Sequence, residues 1–473
     1  MAIYQDLREW LAVARDLGLL KELSGASWDL EIGAATDIER RRRLERSSVL
    51  LFDRIEGYPE GFRVLTNCDN SLPLIAVSLG VSAELRGLDF VRLWKDRMKA
   101  FAPVAPRDVA EGPLLENVYT GAAIDLLKFP VPRWNELDGG RYIGTDCVVV
   151  TRDPDEGWVN LGTYRVVVHD RDRLGLYISP GKDGRIQMEK AHARGEPFPV
   201  AITFGQDPLL LYAASFHLPW GTSEYDYAGW ARGEAIDVIK GPATGLPIPA
   251  RAEIAIEGFV HPGELQEEGP FGEFTGYYAS ERRLAPVVRV HSMMHRDSPI
   301  LTGTPMGRPP AVVFYDLISS ATLWNAMESA GVPDVRGVYM HHSAPTSMFT
   351  AIAIKQRYPG HARQAGAAAI AARGGAYMGR YYVIVDDDID PSNLEEVIWA
   401  IATRSDPESD IDVLRRCWSG PLDPAIHPDR KGFNSRAIID ACRPYEWRSE
   451  FPKVVDYAPE LRERVIGKWG HIL

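Results

Sequence analysis

The stretch EEGPFGEFTGYY, residues 267–278, sets two carboxylates, Glu268 and Glu273, around a Gly-Pro-Phe-Gly core. In an extended strand, residues five apart point to opposite faces, so these side chains converge only if the backbone bends between them. Gly269 and Gly272 permit the bend and Pro270 fixes one φ. Two carboxylates held toward one cavity raise the pKa of at least one, giving a proton donor near neutral pH. The competing structural reading is an exposed acidic turn.

Two further stretches supply partners. GWVNLGTYRVVVHD, 157–170, reads as a strand that carries Asn160, Thr163 and Arg165 in an otherwise apolar run. A buried arginine needs a carboxylate or a ligand anion. Arg165 is therefore expected opposite Glu268, with the guanidinium also able to grip a substrate carboxylate. Glu273 is then the unpaired carboxylate that shuttles a proton. PWGTSEYDYAGWARGE, 219–234, places Glu224 just before an expected helix. Asn160 and Glu224 suit a hard cation such as Mn2+ or Mg2+. Taken alone, Glu224 is a helix N-terminal carboxylate favoured by the dipole.

The elements that must position these residues follow from patterning. Leu7, Trp10, Leu11, Ala14 and Leu17 fall at helical spacing. From about 115 to 300, alternating β-branched segments (DCVVVTRD, PVAITFG, AEIAIEGFV, PVVRVHSMM) separated by turns predict a mostly antiparallel barrel or sheet. Beyond TGTPMGRPPA, 302–311, the chain reads as α/β. His361–Arg373 is an Ala-rich helix stopped by Gly374-Gly375, and YYVIV, 381–385, is a buried strand. Ser392 with Glu395 has capping-box spacing, opening a helix with Leu394, Val397, Ile398 and Ile401 on one face. Asp386-Asp387-Asp388 reads as dipole-complementing acids before that helix rather than a metal cluster.

At 473 residues, two or three domains are expected. The net charge of −12 argues against nucleic acid. The basic run Arg40–Arg43 reads as a solvated helix face. No run approaches the roughly 18–20 apolar residues of a membrane span. The N-terminus lacks the features of a signal peptide. Four dispersed cysteines without a CxxC pair favour a reducing cytoplasm. His217, His261, His291, His295 and the pair His341-His342 fit no metal or triad spacing. His295, just after a barrel strand, is the strongest exception among them.

Taken in this order, the segments resemble the UbiD family of reversible decarboxylases. NLGTYR is similar to its N-x-S-x-x-R element, GTSEYDYAG to its metal-glutamate segment, and EEGPFGEFTGYY to its E-G-P-F-G-E signature. YYVIVDDDIDPSNLEEVIWAIATR and IIDACRPYEWRSEFP resemble its C-terminal region. The resemblance implies an α+β / α/β multidomain chain: a small mixed N-terminal domain over 1–115, a split β-barrel flavin-binding domain over 116–305, and an α/β C-terminal oligomerisation domain over 306–473 that forms a homodimer or larger homo-oligomer. It implies prenylated FMN, made by a partner flavin prenyltransferase and held with Mn2+ (or Mg2+) and K+, acting on an aromatic, heteroaromatic or α,β-unsaturated carboxylic acid.

By position, Glu273 is the implied acid/base and Arg165 the partner of Glu268 at the substrate carboxylate. Asn160, Asp183 and Glu224 are the implied metal ligands, Asp183 standing where relatives carry histidine. His192, nearby in sequence, reads as a surface residue. Gly162, Thr163, Tyr164, Lys182, Ser223 and Arg380 join Asn160, Arg165 and Glu224 around the cofactor. Gly162 replaces the family serine, and Arg380 replaces a lysine that contacts the flavin phosphate. Phe274, Met306, Pro309 and the 420–436 segment are expected to shape the substrate pocket. The alternatives are an ordinary FMN oxidoreductase, for which no GxGxxG is present, a hydrolase using paired carboxylates, and a non-catalytic or carboxylating subunit of a related complex.

Overall fold

The computed structural model describes residues 4–42, 47–216, 218–279, 281–308, 313–344 and 346–472. At the N-terminus, helix Leu7–Asp16 buries Leu7, Trp10, Leu11 and Ala14. Leu17, expected on the same face, follows the last turn and is 44% exposed. The helix packs on a four-stranded sheet ordered 20–24, 49–53, 63–66 and 300–303. Its last strand comes from the far end of the central segment and pairs in parallel with Arg63–Thr66. Helices Leu72–Ser78 and Gly87–Met98 share a core with helix Val313–Ser329 from the C-terminal half.

The central unit is a nine-stranded sheet ordered 141–144, 165–168, 173–177, 283–295, 254–268, 198–204, 148–152 and 159–162, with 117–120 added beside 283–295. The segment expected as one strand is two, Val159–Gly162 and Arg165–Val168, because Thr163 and Tyr164 leave the ladder. The β-branched pattern runs on either side of this break, and Gly162, the last residue of the first strand, is the one local signal for it.

These two strands lie six positions apart in the sheet order. With strands about 4.8 Å apart, a flat sheet would separate them by about 29 Å. Three Cα–Cα steps of about 3.8 Å span at most about 11 Å. The sheet therefore curls until its ends nearly meet, giving a half-closed barrel.

The C-terminal unit is a five-stranded sheet ordered 335–340, 349–354, 381–386, 433–441 and 411–418. Helix His361–Ala371 matches the Ala-rich segment, but Gly374-Gly375 do not simply end it: after extended Ala372 they lie in a short helical turn, Arg373–Ala376. Helix Leu394–Arg404 is capped by Asn393 rather than Ser392. The Asn393 carboxamide oxygen accepts the Glu395 N–H at 3.1 Å, while the Ser392 hydroxyl donates to Asp390 at 2.7 Å. Its buried face is Val397, Ala400 and Arg404, and Ile398 is 53% exposed.

Within the aspartate run, Asp386 accepts from Gln356 at 2.7 Å and from the Arg443 backbone N–H at 2.8 Å, and Asp388 pairs with Arg404 at 2.9 Å. Arg40, expected to be solvated, is buried, whereas Arg41 pairs with Asp37 at the surface. Arg43, His217 and Pro309 lie outside the described residues. Among the described residues, no helix is long and apolar enough to cross a membrane.

Candidate active site

The acidic loop begins where strand Ile254–Glu268 ends. Gly269 takes φ +93°, a left-handed conformation that turns the chain out of the sheet. The loop is braced from outside by residues 135–139. The Asp138 carboxylate accepts the N–H groups of Gly272 and Asn135, each at 3.0 Å, and the Gly139 N–H donates to the Pro270 carbonyl at 2.8 Å. A Cβ on Gly139 would lie 2.0 Å from the Gly269 oxygen, so this approach requires glycine. The tyrosines that follow hold the loop too: the Tyr277 carbonyl accepts the Glu273 N–H at 3.0 Å, and the Tyr278 hydroxyl accepts the Leu137 N–H at 3.1 Å.

The bend brings both glutamates to Arg165. One guanidinium nitrogen donates to Glu268 at 2.5 Å and the other to Glu273. Glu273 is thus not the unpaired carboxylate expected from sequence, because Arg165 bridges the two. All three side chains are at least nine-tenths buried. Burial lowers the Arg165 pKa, but attraction to Glu273 and Glu268 outweighs it and the net shift is upward. Glu268 also accepts from the Tyr142 hydroxyl at 3.0 Å and faces Arg283 at 3.6 Å. The Arg165 guanidinium lies 4.9 Å from the Tyr177 ring centre and 5.2 Å from that of Phe271.

The bridge opens on a cavity of about 290 Å³ lined by Arg165, Glu273, Tyr177, Phe271, Phe274, Met306, Tyr315, Tyr377 and Leu422, among others. A second cavity of about 320 Å³ adjoins it, sharing Thr163, Tyr164, Ser179, Lys182, Ser215 and Tyr377. This second chamber is the more polar of the two: Asn160, Asp183, Glu224, Lys182 and Arg373 all line it. It is also where the halves of the chain meet, since Arg373, Tyr377, Trp418, Ser419 and Pro421 form its C-terminal wall.

Glu224 is the first residue of helix Glu224–Arg232 and accepts the Leu161 N–H at 2.7 Å. Burial pushes its carboxyl up to about 8, with the nearby Asp183 and Asp226 charges adding to the rise. Burial raises Asp183 too, against the pull of Arg373 and Lys182. Lys182 is pushed down to about 8, chiefly by burial. The Asn160 amide nitrogen donates to Thr151 at 3.0 Å. Among the described residues, no three His, Cys, Asp or Glu side chains gather as a metal site, so the oxygen set here is two carboxylates and one amide. Carboxylate and amide oxygens are the donors a hard divalent cation takes, and this set fits one.

The structure thus gathers Asn160, Gly162, Thr163, Tyr164, Arg165, Lys182, Asp183, Glu224 and Glu273 along the two chambers, with Glu268 behind Arg165. Two expected residues stand elsewhere. Ser223 caps its helix, its hydroxyl accepting the Tyr225 N–H at 3.3 Å. Arg380 pairs with Asp423 at 2.6 Å and lines a separate cavity with Arg415, Arg416 and Lys431. Beside Lys182, the polar chamber receives Arg373, a cation the sequence reading missed. Its one sequence signal is a basic residue immediately before the double glycine.

His295 lies outside both chambers, packed beside Tyr119 and Phe129 with Nε2 3.2 Å from the Lys128 amine. His192 faces the Val260 carbonyl at 3.1 Å.

Residues 107–309 match the 3-octaprenyl-4-hydroxybenzoate carboxy-lyase Rift-related domain and residues 312–441 the C-terminal domain of the same enzymes. The chain belongs to the UbiD family of non-oxidative decarboxylases.

It is 32% identical over 473 residues to a phenolic acid decarboxylase of Streptomyces sp. (strain D7), covering 97% of each chain. It is also 32% identical over 466 residues to a pyrrole-2-carboxylic acid decarboxylase of Pseudomonas aeruginosa, covering 93% and 92%. Among solved structures, the vanillic acid decarboxylase of Sedimentibacter hydroxybenzoicus in open form superposes with a TM-score of 0.86 at 31% identity, covering 99% of each chain. The UbiD-class enzyme HmfF of Pelotomaculum thermopropionicum, in complex with FMN, gives 0.85 at 29% identity, covering 97% and 98%.

Proposed function

We propose that the chain decarboxylates an aromatic, heteroaromatic or α,β-unsaturated carboxylic acid with prenylated FMN bound across the two chambers. The observation that carries this reading is the Arg165 bridge to both Glu268 and Glu273 at the edge of the aromatic-lined cavity. The size and aromatic lining of that cavity suit a flat ring, and an evolved dimeric form of HmfF has been solved in complex with prFMN. The flavin supplies the electron sink that carbanion chemistry lacks in water. Asn160, Asp183 and Glu224 are the residues that would hold a divalent cation, Mn2+ or Mg2+, beside the flavin phosphate, with Lys182 and Arg373 supplying positive charge. K+ is the further cation of this reading.

In this account Glu268, also held by Tyr142, keeps Arg165 aimed into the cavity. An incoming substrate carboxylate competes with Glu273 for the guanidinium, because both want the same N–H donors. Glu273, displaced and facing a new negative charge, then favours its protonated form. The bond from the ring or alkene carbon to the carboxylate breaks, CO2 leaves, and the Glu273 proton takes its place on that carbon. The protein works as a homodimer or larger homo-oligomer and receives its cofactor from a flavin prenyltransferase.

The test is co-expression with a flavin prenyltransferase, followed by a panel of aromatic, heteroaromatic and acrylic acids assayed for CO2 release. Turnover confined to preparations that carry the modified flavin is the expected result. Equal CO2 release by colourless protein would overturn the cofactor reading.

A further inference from the structure

Tyr164 stands at the wall common to both chambers, 8% exposed. Its ring is seated by two missing side chains. A Cβ on Gly162 would lie 2.3 Å from both Cζ and Oη of Tyr164, and a Cβ on Gly184 would lie 2.9 Å from Oη. Neither glycine has a positive φ, so the ring, and not the backbone, requires glycine at both places.

The phenol oxygen is spoken for as an acceptor. It takes the Gly184 N–H at 3.2 Å and an Asn160 amide hydrogen at 3.5 Å. A tyrosine hydroxyl has one proton to give and about two lone-pair positions to receive with. Two N–H groups aimed at it make the oxygen an acceptor of protein hydrogen bonds. The proton has no acceptor among the described residues, although Tyr164 is buried against a chamber lined by Lys182 and Arg373. A buried donor of this kind is available to a ligand oxygen.

We propose that Tyr164 is a dedicated hydrogen-bond donor to a phosphate oxygen of the group held in the polar chamber, seated there by Gly162 and Gly184. This rests on the flavin-nucleotide reading above and deepens it by dividing the chamber. Tyr164, Lys182 and Arg373 address the anion, and Asn160, Asp183 and Glu224 address the cation.

The experiment titrates FMN and riboflavin separately into the flavin-free full chain, wild type and Tyr164→Phe, and follows flavin fluorescence. Inorganic phosphate serves as a competitor and as a probe by itself. FMN binding is expected to weaken about tenfold in Tyr164→Phe, with riboflavin binding unchanged. Equal FMN affinity in the two proteins, or equal losses for FMN and riboflavin, would overturn the assignment.

Thermal melts check folding, and a second pair of variants tests the seating. Gly162→Ala is expected to weaken FMN binding in the wild-type background and to be neutral in a Tyr164→Ser background, where the ring it strikes is gone. Equal damage in both backgrounds would refute the seating. A wild type that binds inorganic phosphate in a Tyr164-dependent manner but not FMN would keep the donor and overturn the flavin reading. Binding of neither would overturn both.

Discussion

Two buried clusters of this molecule each set an arginine beside a pair of buried carboxylates, with opposite results. In the active cleft, Arg165 hydrogen-bonds both Glu268 and Glu273, and its pKa is raised despite burial. Beneath the wall that carries Met306, Arg40 lies near Asp69 and Asp146 but bonds neither, its donors going to the Pro305 carbonyl and Asp37. There burial dominates: Arg40 is lowered, Asp146 is raised well above the usual carboxylate range, and Asp69 is raised to about 6. One oxygen on each aspartate has no hydrogen-bond partner. Direct N–H contact with both buried carboxylates, and not their proximity alone, accompanies the raised arginine pKa in one cluster and is missing where the arginine pKa falls.

The strongest way to break this contrast is to remove the proton of the functional cluster. Glu273→Gln keeps shape and burial, so kcat is expected to fall by about 10³-fold or more with flavin content unchanged. Single-turnover assays beside a flavin absorbance spectrum check this, and near-normal turnover would take Glu273 out of the reaction.

Next comes Arg165→Ala, which leaves two buried carboxylates facing each other. It is expected to cost about 3–5 kcal/mol of stability as well as substrate affinity. Urea denaturation and KM measure the two losses.

Arg40→Met should cost clearly less than Arg165→Ala in the same urea assay, since Arg40 bonds neither Asp69 nor Asp146. An equal cost would erase the distinction between the clusters.

The smallest effect is on Asp69, whose folded-state pKa of about 6 stands above its ordinary 3.8. Folding therefore takes up a proton between those values. The stability Asp69 contributes is complete below about pH 4 and is lost as pH rises through about 6. Asp69→Asn, which keeps a neutral group at every pH, is expected to raise Tm by about 2 °C at pH 7 and to leave it unchanged near pH 3.5. Melting curves across that range decide the sign.

The half-barrel strands and the late β-strand were legible because alternation and β-branching are local signals. The break at Thr163-Tyr164 was not, because nothing in the pair forbids a strand and only the far edge of the sheet demands the turn. The Arg165–Glu268 contact followed from the cost of burying an arginine unpaired. That Glu273 shares the same guanidinium did not, since one arginine can serve one or two carboxylates and the choice lies in loop curvature. Arg380 stands away from the two chambers for a related reason. Proximity to a strand says nothing of which side a long side chain takes, and Asp423 claims Arg380 while Arg373 turns toward the chamber. Ser392 lost its cap to Asn393 by a single position, where two adjacent residues both had cap chemistry.

The link Thr163-Tyr164 ties barrel closure to ligand reception. The two residues that join the last strand of the sheet to its second are also a stretch of wall common to both chambers. One extra residue inserted there would slacken the tie and misplace Arg165 and Tyr164 together. This hinge point should therefore be the least forgiving place in the chain for a change of length, and a graft of a relative's pocket would have to carry it whole.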